Sequence, residues 1–151
     1  MEICQYTYFQ QLGGIECNPV SVEITYGLER LAMFIQKVNN VFDIVWNENK
    51  KEKRLIKYKD IYLESEKQFS KYNFELANTE YLFKCFEYVE NECKELLSND
   101  LPLPAYENCI KASHYFNILD ARGVIGVAQR QSYILKIRSL VKNCCELYIK
   151  Q

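Results

Sequence analysis

The hydrophobic and polar positions fall into two rhythms, and the change between them comes at Gly27. Val20, Val22, Ile24 and Tyr26 alternate with Ser21, Glu23 and Thr25, the period of a strand with one apolar and one polar face. From Leu28 the apolar positions recur as Leu28, Leu31, Ala32, Ile35 and Val38, which is helical spacing. A strand with a polar face therefore runs through a glycine directly into a helix. Upstream, the aromatic-rich Met1 to Gln11 reads as a second strand, with the turn signal at Leu12 to Gly14, so the two strands form a hairpin. Downstream the rhythm is helical. Thr79 to Ser98 places Leu82, Phe83, Phe86, Val89, Cys93 and Leu96 on one face, with Asn78 as the N-cap. After the break at Asn99 to Pro104, the residues Ala105, Cys109, Ala112, Phe116 and Leu119 follow at spacings of 4, 3, 4 and 3. Asp120 to Gly126 forms a turn. A last helix from Val127 to about Lys150 carries Ile134, Ile137, Val141, Cys144 and Tyr148 on one stripe. The pattern predicts an α+β protein: a hairpin and its helix, then a three-helix antiparallel bundle.

Between these parts, Val41 to Trp46 is a short apolar run, read as a strand end or a docking segment. Asn47 to Lys59 is rich in lysine and reads as a solvated loop; the alternative is a phosphate-contacting loop, without an aromatic platform beyond Tyr58. Composition narrows the class. With 48% hydrophobic and 26% charged residues the chain is an ordinary globular protein, and its net charge of −1 gives no global attraction for nucleic acid. No apolar run is long enough to span a membrane, and no basic-then-apolar signal pattern opens the sequence. Seven scattered cysteines without a CxxC pair read as reduced thiols in a cytoplasmic protein, with no zinc site.

The chemistry-bearing residues cluster at the change of rhythm. A polar strand face that ends at a helix N-terminus suits an anionic ligand, to which Arg30 adds a full positive charge, while Glu23 can accept a cation such as an ammonium group. The alternative is a wet sheet face, with Glu23 in solvent and Arg30 paired to Glu29 or another neighbour. His114, the single histidine, has no nearby cysteine or second histidine and reads as a packed or surface residue. Arg122, Arg130, Arg138 and Lys142 form a helical basic set, either a solvated face or a contact for a partner.

The string EITYGLERLAMFI resembles motif 3 of the class II aminoacyl-tRNA synthetases, in which a strand ends in a Gly-x-x-Arg turn and continues as a helix. The longer TYFQQLGGIECNPVSVEITYGLERLAMFIQ is similar to the α chain of the bacterial two-subunit glycyl-tRNA synthetases. YNFE from Tyr72, LPLPAYE from Leu101, FNILDARG from Phe116 and RQSYILKIR from Arg130 continue that resemblance over nearly the whole chain.

The resemblance implies a glycine–tRNA ligase that uses ATP and Mg²⁺ to form glycyl adenylate and passes glycine to tRNA(Gly), as an α2β2 tetramer with a β subunit. It implies that Glu23 holds the glycine ammonium and Thr25 narrows the amino-acid pocket. Arg30, the candidate catalytic residue, would pack on adenine and reach the outer phosphate, a stack worth about 0.5–2 kcal/mol. Gly27 would let the backbone approach the nucleotide. Glu2, Gln5, Gln10 and Glu16, on or beside the hairpin, are further candidates for pocket or Mg²⁺ contacts. In that family the hairpin belongs to a larger class II antiparallel sheet, whose motifs 1 and 2 precede the point where this sequence begins. The motif 2 arginine that holds the ATP α-phosphate has no counterpart here. The expectation is therefore a C-terminal half of an α subunit, starting at an internal methionine and inactive when isolated. Its parts would be the end of a catalytic domain at 1–46, a charged connecting segment at 47–78 and a helical domain at 79–151. The alternative is a non-catalytic remnant whose helices dock on a partner subunit.

Overall fold

In the computed structural model, which describes residues 1–49 and 54–151, the chain is a mixed α+β protein. Strands β1 (Cys4–Leu12) and β2 (Ile15–Tyr26) form one antiparallel hairpin, and β2 leads through Gly27 into helix α1 (Leu28–Gln36). A 3-10 turn at Val41–Asp43 precedes strands β3 (Val45–Asn49) and β4 (Arg54–Lys57), a second antiparallel hairpin. Helix α2 (Tyr58–Lys71) and a π-helical turn (Tyr72–Leu76) lead to helices α3 (Thr79–Ser98), α4 (Pro102–Ala121) and α5 (Val127–Lys150). The chain divides into two compact units: Met1–Phe9 with Val20–Lys71, and Gln10–Pro19 with Tyr72–Gln151.

In the first unit, strand alternation separates the faces, but among the described residues the apolar side chains of β2 stay exposed. Val22 is 47% exposed, Val20 and Ile24 are similarly open, and β1 and β2 contain no buried residue. Leu31, Ala32 and Met33 of helix α1 and Val38 beyond its end are half-buried, while Leu28 and Ile35, on the expected apolar stripe, stand in solvent. Its end is tied to the second hairpin by Gln36. The side-chain amide donates to the Val45 carbonyl at 3.0 Å and accepts from Val45 N–H at 2.7 Å, as a neighbouring strand would. Ile44 is buried, and its carbonyl accepts from Tyr58 N–H at 2.8 Å. Phe42, Trp46, Tyr58 and Tyr62 pack ring on ring beside it.

The lysine-rich segment corrects the loop expected over Asn47 to Lys59. Residues 50–53 lie outside the described residues, but β3 runs to Asn49, Arg54–Lys57 is strand, and α2 begins at Tyr58. The apolar cluster of Trp46, Tyr58 and Tyr62 gives these charged elements an anchor. Lys57 is fixed twice, its ammonium 3.1 Å from Asp43 and its backbone N–H donating to Asp60 at 2.8 Å.

The second unit holds the core. Helix α4 packs against both α3 and α5, which also touch each other. The α4 positions Ala105, Cys109, Ala112, Phe116 and Leu119 are all buried, facing Leu82, Phe86, Val89 and Cys93 of α3 and Leu140 and Cys144 of α5. Asn78 caps α3 by accepting from Tyr81 N–H at 3.0 Å. Helix α4 starts at Pro102, earlier than expected from Pro104, since a proline at the first helical position loses no hydrogen bond. On α5 the expected stripe ends differently: Leu140 is buried, while Tyr148 is 62% exposed.

The hairpin turn is tightly specified. Gly13 and Gly14 both have positive φ, 60° and 82°, the backbone of a two-residue turn that matches strand twist. A Cβ at Gly13 would lie 3.3 Å from both Cys145 Sγ and the Lys142 Cα, whereas one at Gly14 would meet nothing within 4 Å. Both alanine variants incur the left-handed penalty of about 1–2 kcal/mol. Gly13→Ala must also displace helix backbone, so it should lower the denaturation midpoint more than Gly14→Ala. Equal midpoints for the two variants would show that the close approach has no energetic weight.

Candidate functional site

The first unit contains a cleft of about 480 Å³ where the start of β1, the end of β2 and the first turns of α1 converge. Thr25, Gly27 and Arg30 line it, together with Glu2, Gln5 and Glu29. The corner is closed by backbone: Gly27 N–H donates to the Ile3 carbonyl at 3.0 Å, and Leu31 N–H to the Gly27 carbonyl at 3.0 Å. Gly27 makes room as well as the turn. A Cβ there would sit 3.3 Å from Arg30 Cδ and 3.6 Å from its Cβ and Cγ, so the arginine stem lies across the glycine.

Arg30 Nη1 donates to the Glu2 carbonyl at 2.7 Å and lies 3.9 Å from the Glu2 carboxylate. Both side chains are about half exposed, so the ion pair adds little and the carbonyl contact sets the direction. Thr25 Oγ1 donates to the Glu23 carboxylate. Glu23 itself is not among the lining residues; it is the neighbour to which the lining residue Thr25 is hydrogen-bonded. Glu29 is directed to Tyr58, whose phenol pKa is raised above its ordinary value by burial and by the Glu29 carboxylate.

Gln10 and Glu16 are not brought to this cleft. They belong to the other compact unit, at the turn end of the hairpin. At about 3.3 Å per strand residue, Gln10 lies roughly 17 Å along the strand from Gln5.

In the second unit, much of the basic set is engaged internally. Arg122 donates to the carbonyls of Phe74 at 2.8 Å and Ala77 at 3.3 Å, fixing the π-helical turn to the end of α4. Arg130 Nε bridges both Asp120 carboxylate oxygens at 3.1 and 3.2 Å. Lys142 lies 3.6 Å from Glu146, and Arg138 is exposed on α5. His114 is on the exposed side of α4, its ring 5.8 Å from that of Tyr115.

The cysteines of the bundle are a packing feature. Burial, reinforced by neighbouring Cys144, pushes the Cys93 thiol up to about 12 and the Cys109 thiol to about 11. The Cys109 thiol donates to the Ile137 carbonyl at 3.8 Å. Among the described residues, no three His, Cys, Asp or Glu side chains are grouped to hold a metal ion, and no helix is long and apolar enough to cross a membrane.

Sequence reasoning missed Glu90. It is buried on α3, 7% exposed, with Lys94 at 2.6 Å and Lys136 at 2.9 Å. The local signal was Lys94 one turn on; Lys136 comes from a distant helix.

The molecule is thus an α+β protein in which a strand threonine, hydrogen-bonded to Glu23, and an arginine on the following helix line one cleft beside a glycine corner. The family model described as "Glycyl-tRNA synthetase alpha subunit" matches residues 1–151, and the chain belongs to that family.

Proposed function

We propose that the chain forms the wall of a glycine-activating site in a glycine–tRNA ligase, which makes glycyl adenylate from glycine and ATP and transfers glycine to tRNA(Gly). The observation that supports this reading is that Thr25, whose hydroxyl donates to the Glu23 carboxylate, and Arg30, on the first turn of α1 beside Gly27, line one cleft. A zwitterionic amino acid presents an ammonium to Glu23 and a nucleotide presents phosphates to Arg30. Glu23 accepts the glycine ammonium, Thr25 limits the space beside it, and Arg30 holds the nucleotide. The glycine carboxylate attacks the α-phosphate in line, so the protein acts by positioning and charge stabilisation rather than as a nucleophile. The arginine stem occupies the space that a side chain at position 27 would need, so glycine there leaves room for Arg30 at the cleft. Mg²⁺ binds through phosphates with one or two carboxylates, and it would neutralise phosphate charge; Glu2 is the candidate carboxylate in the cleft, with Gln5 beside it.

The uncovered apolar residues of the first unit, such as Val22 and Ile35, support work within a larger assembly with the β subunit as an α2β2 enzyme. Seven free thiols fit the cytoplasm. The rival reading, a non-catalytic docking module, draws on exposed side chains of the bundle such as Tyr88 and Leu103.

Arg30 separates the two. In the assembled enzyme, Arg30→Ala should raise the KM for ATP about tenfold while changing that for glycine far less. Arg30→Lys should rescue poorly, because an ammonium lacks the planar fork. An unchanged ATP dependence in both variants would favour the docking module.

A further inference from the structure

Glu23 and Thr25 are two residues apart on β2, so the pleat directs both side chains to one face. The Thr25 hydroxyl donates to Glu23 Oε1, and among the described residues no other hydrogen bond or ion pair holds that carboxylate. Thr25 lines the cleft beside Gly27 and Arg30, and Glu23 does not. Thr25 is therefore the residue shared by the hydrogen bond to the carboxylate and the lining of the cleft.

We infer that Thr25 is a positioning residue, whose hydroxyl fixes one oxygen of Glu23 and leaves Oε2 to receive the substrate ammonium; this rests on the reading of Glu23 as the ammonium acceptor. A glutamate on an exposed strand has several rotamers, and binding a ligand requires it to settle in one. A hydroxyl that pre-orders the side chain removes part of that cost before the ligand arrives. The donated bond uses one of about four lone-pair sites on the carboxylate, so the acceptor capacity that an ammonium needs survives. This role belongs to the hydroxyl and is separable from the bulk of the Thr25 methyl group.

The two substitutions that separate them are Thr25→Val, which keeps the shape and the strand preference, and Thr25→Ser, which keeps the hydroxyl. Glycine-dependent ATP–pyrophosphate exchange in the assembled enzyme gives the readout. Thr25→Val should raise the KM for glycine about threefold to tenfold, the scale of one hydrogen bond, with kcat and the KM for ATP nearly unchanged. Thr25→Ser should stay within about twofold of the parent, since its hydroxyl still donates. In a Glu23→Ala background, read at high glycine, Thr25→Val should add nothing, because the group through which it acts is gone. A parental KM in Thr25→Val, equal damage from serine and valine, or the same fold-change in the Glu23→Ala background would each overturn the inference. Parental activity in Glu23→Ala alone would instead sink the assignment of Glu23, and the positioning role with it.

Discussion

Glu23→Gln should reduce glycine-dependent ATP–pyrophosphate exchange in the assembled enzyme by roughly tenfold to a hundredfold or more, the scale of one lost charge-assisted hydrogen bond of about 1.5–3 kcal/mol. The substitution keeps size and an acceptor oxygen but removes the negative charge. Glu23 is exposed and is held only by Thr25 among the described residues, so its replacement should leave the fold intact. The loss should fall on glycine: its apparent KM rises, while ATP binding, which we propose involves Arg30, changes little. Exchange at the parental rate would remove Glu23 from the site. A loss accompanied by an equal rise in the KM for ATP would mean that the substitution had disturbed the whole corner.

The parts of the fold that were legible in the sequence are those where periodicity alone decides. The spacing of Ala105, Cys109, Ala112, Phe116 and Leu119 leaves one helical face, and all five residues are buried. Alternation in β2 likewise sorted Val20, Val22 and Ile24 from Ser21, Glu23 and Thr25. It did not say whether the apolar face finds a cover, and these residues are exposed. A period identifies which side chains share a face; burial depends on what packs against it.

Helix α2 and the β3–β4 hairpin were missed for a different reason. Charged residues interrupt these segments, and Trp46, Tyr58 and Tyr62 pack ring on ring rather than forming a long apolar stripe. The tie made by Gln36 to Val45 has no sequence signature at all. For the site, the glycine between two rhythms located the corner. Membership of the cleft then depended on distance along the hairpin, which brings Glu2 and Gln5 in and leaves Gln10 and Glu16 in the other unit.

Glu90 shows how a buried charge depends on partners that periodicity alone does not bring together. Burial alone would raise its pKa, but hydrogen bonds from Lys94 and Lys136 outweigh that cost and hold it below its ordinary value of 4.5. Lys136 also lies 5.9 Å from the Phe86 ring centre and 5.8 Å from that of Tyr133, over the aromatic core. The ammonium groups are 55% and 48% exposed at the side-chain level, whereas Glu90 is at 9%. The acid is the trapped partner and the lysines can turn to water. Replacing Glu90 by leucine should therefore cost about 1 kcal/mol or less, since two lysines regain hydration and an apolar side chain fills the site. Removing both bases, as Lys94→Met with Lys136→Met, leaves a buried carboxylate unpaired and should cost about 3 kcal/mol at neutral pH. The two cases should also bend oppositely with pH. In the parent chain the folded-state pKa is lowered, so the contribution is present above 4.5 and is lost as pH falls through the folded value. In the double variant burial is unopposed and the folded-state pKa is raised. Its deficit should be greatest at neutral pH and shrink as acidification supplies the proton. Denaturant unfolding of the full chain at pH 7 and at mildly acidic pH measures both quantities. If the double-lysine variant were as stable as the parent, or its deficit grew on acidification, the lysines would not be what makes burial of Glu90 tolerable.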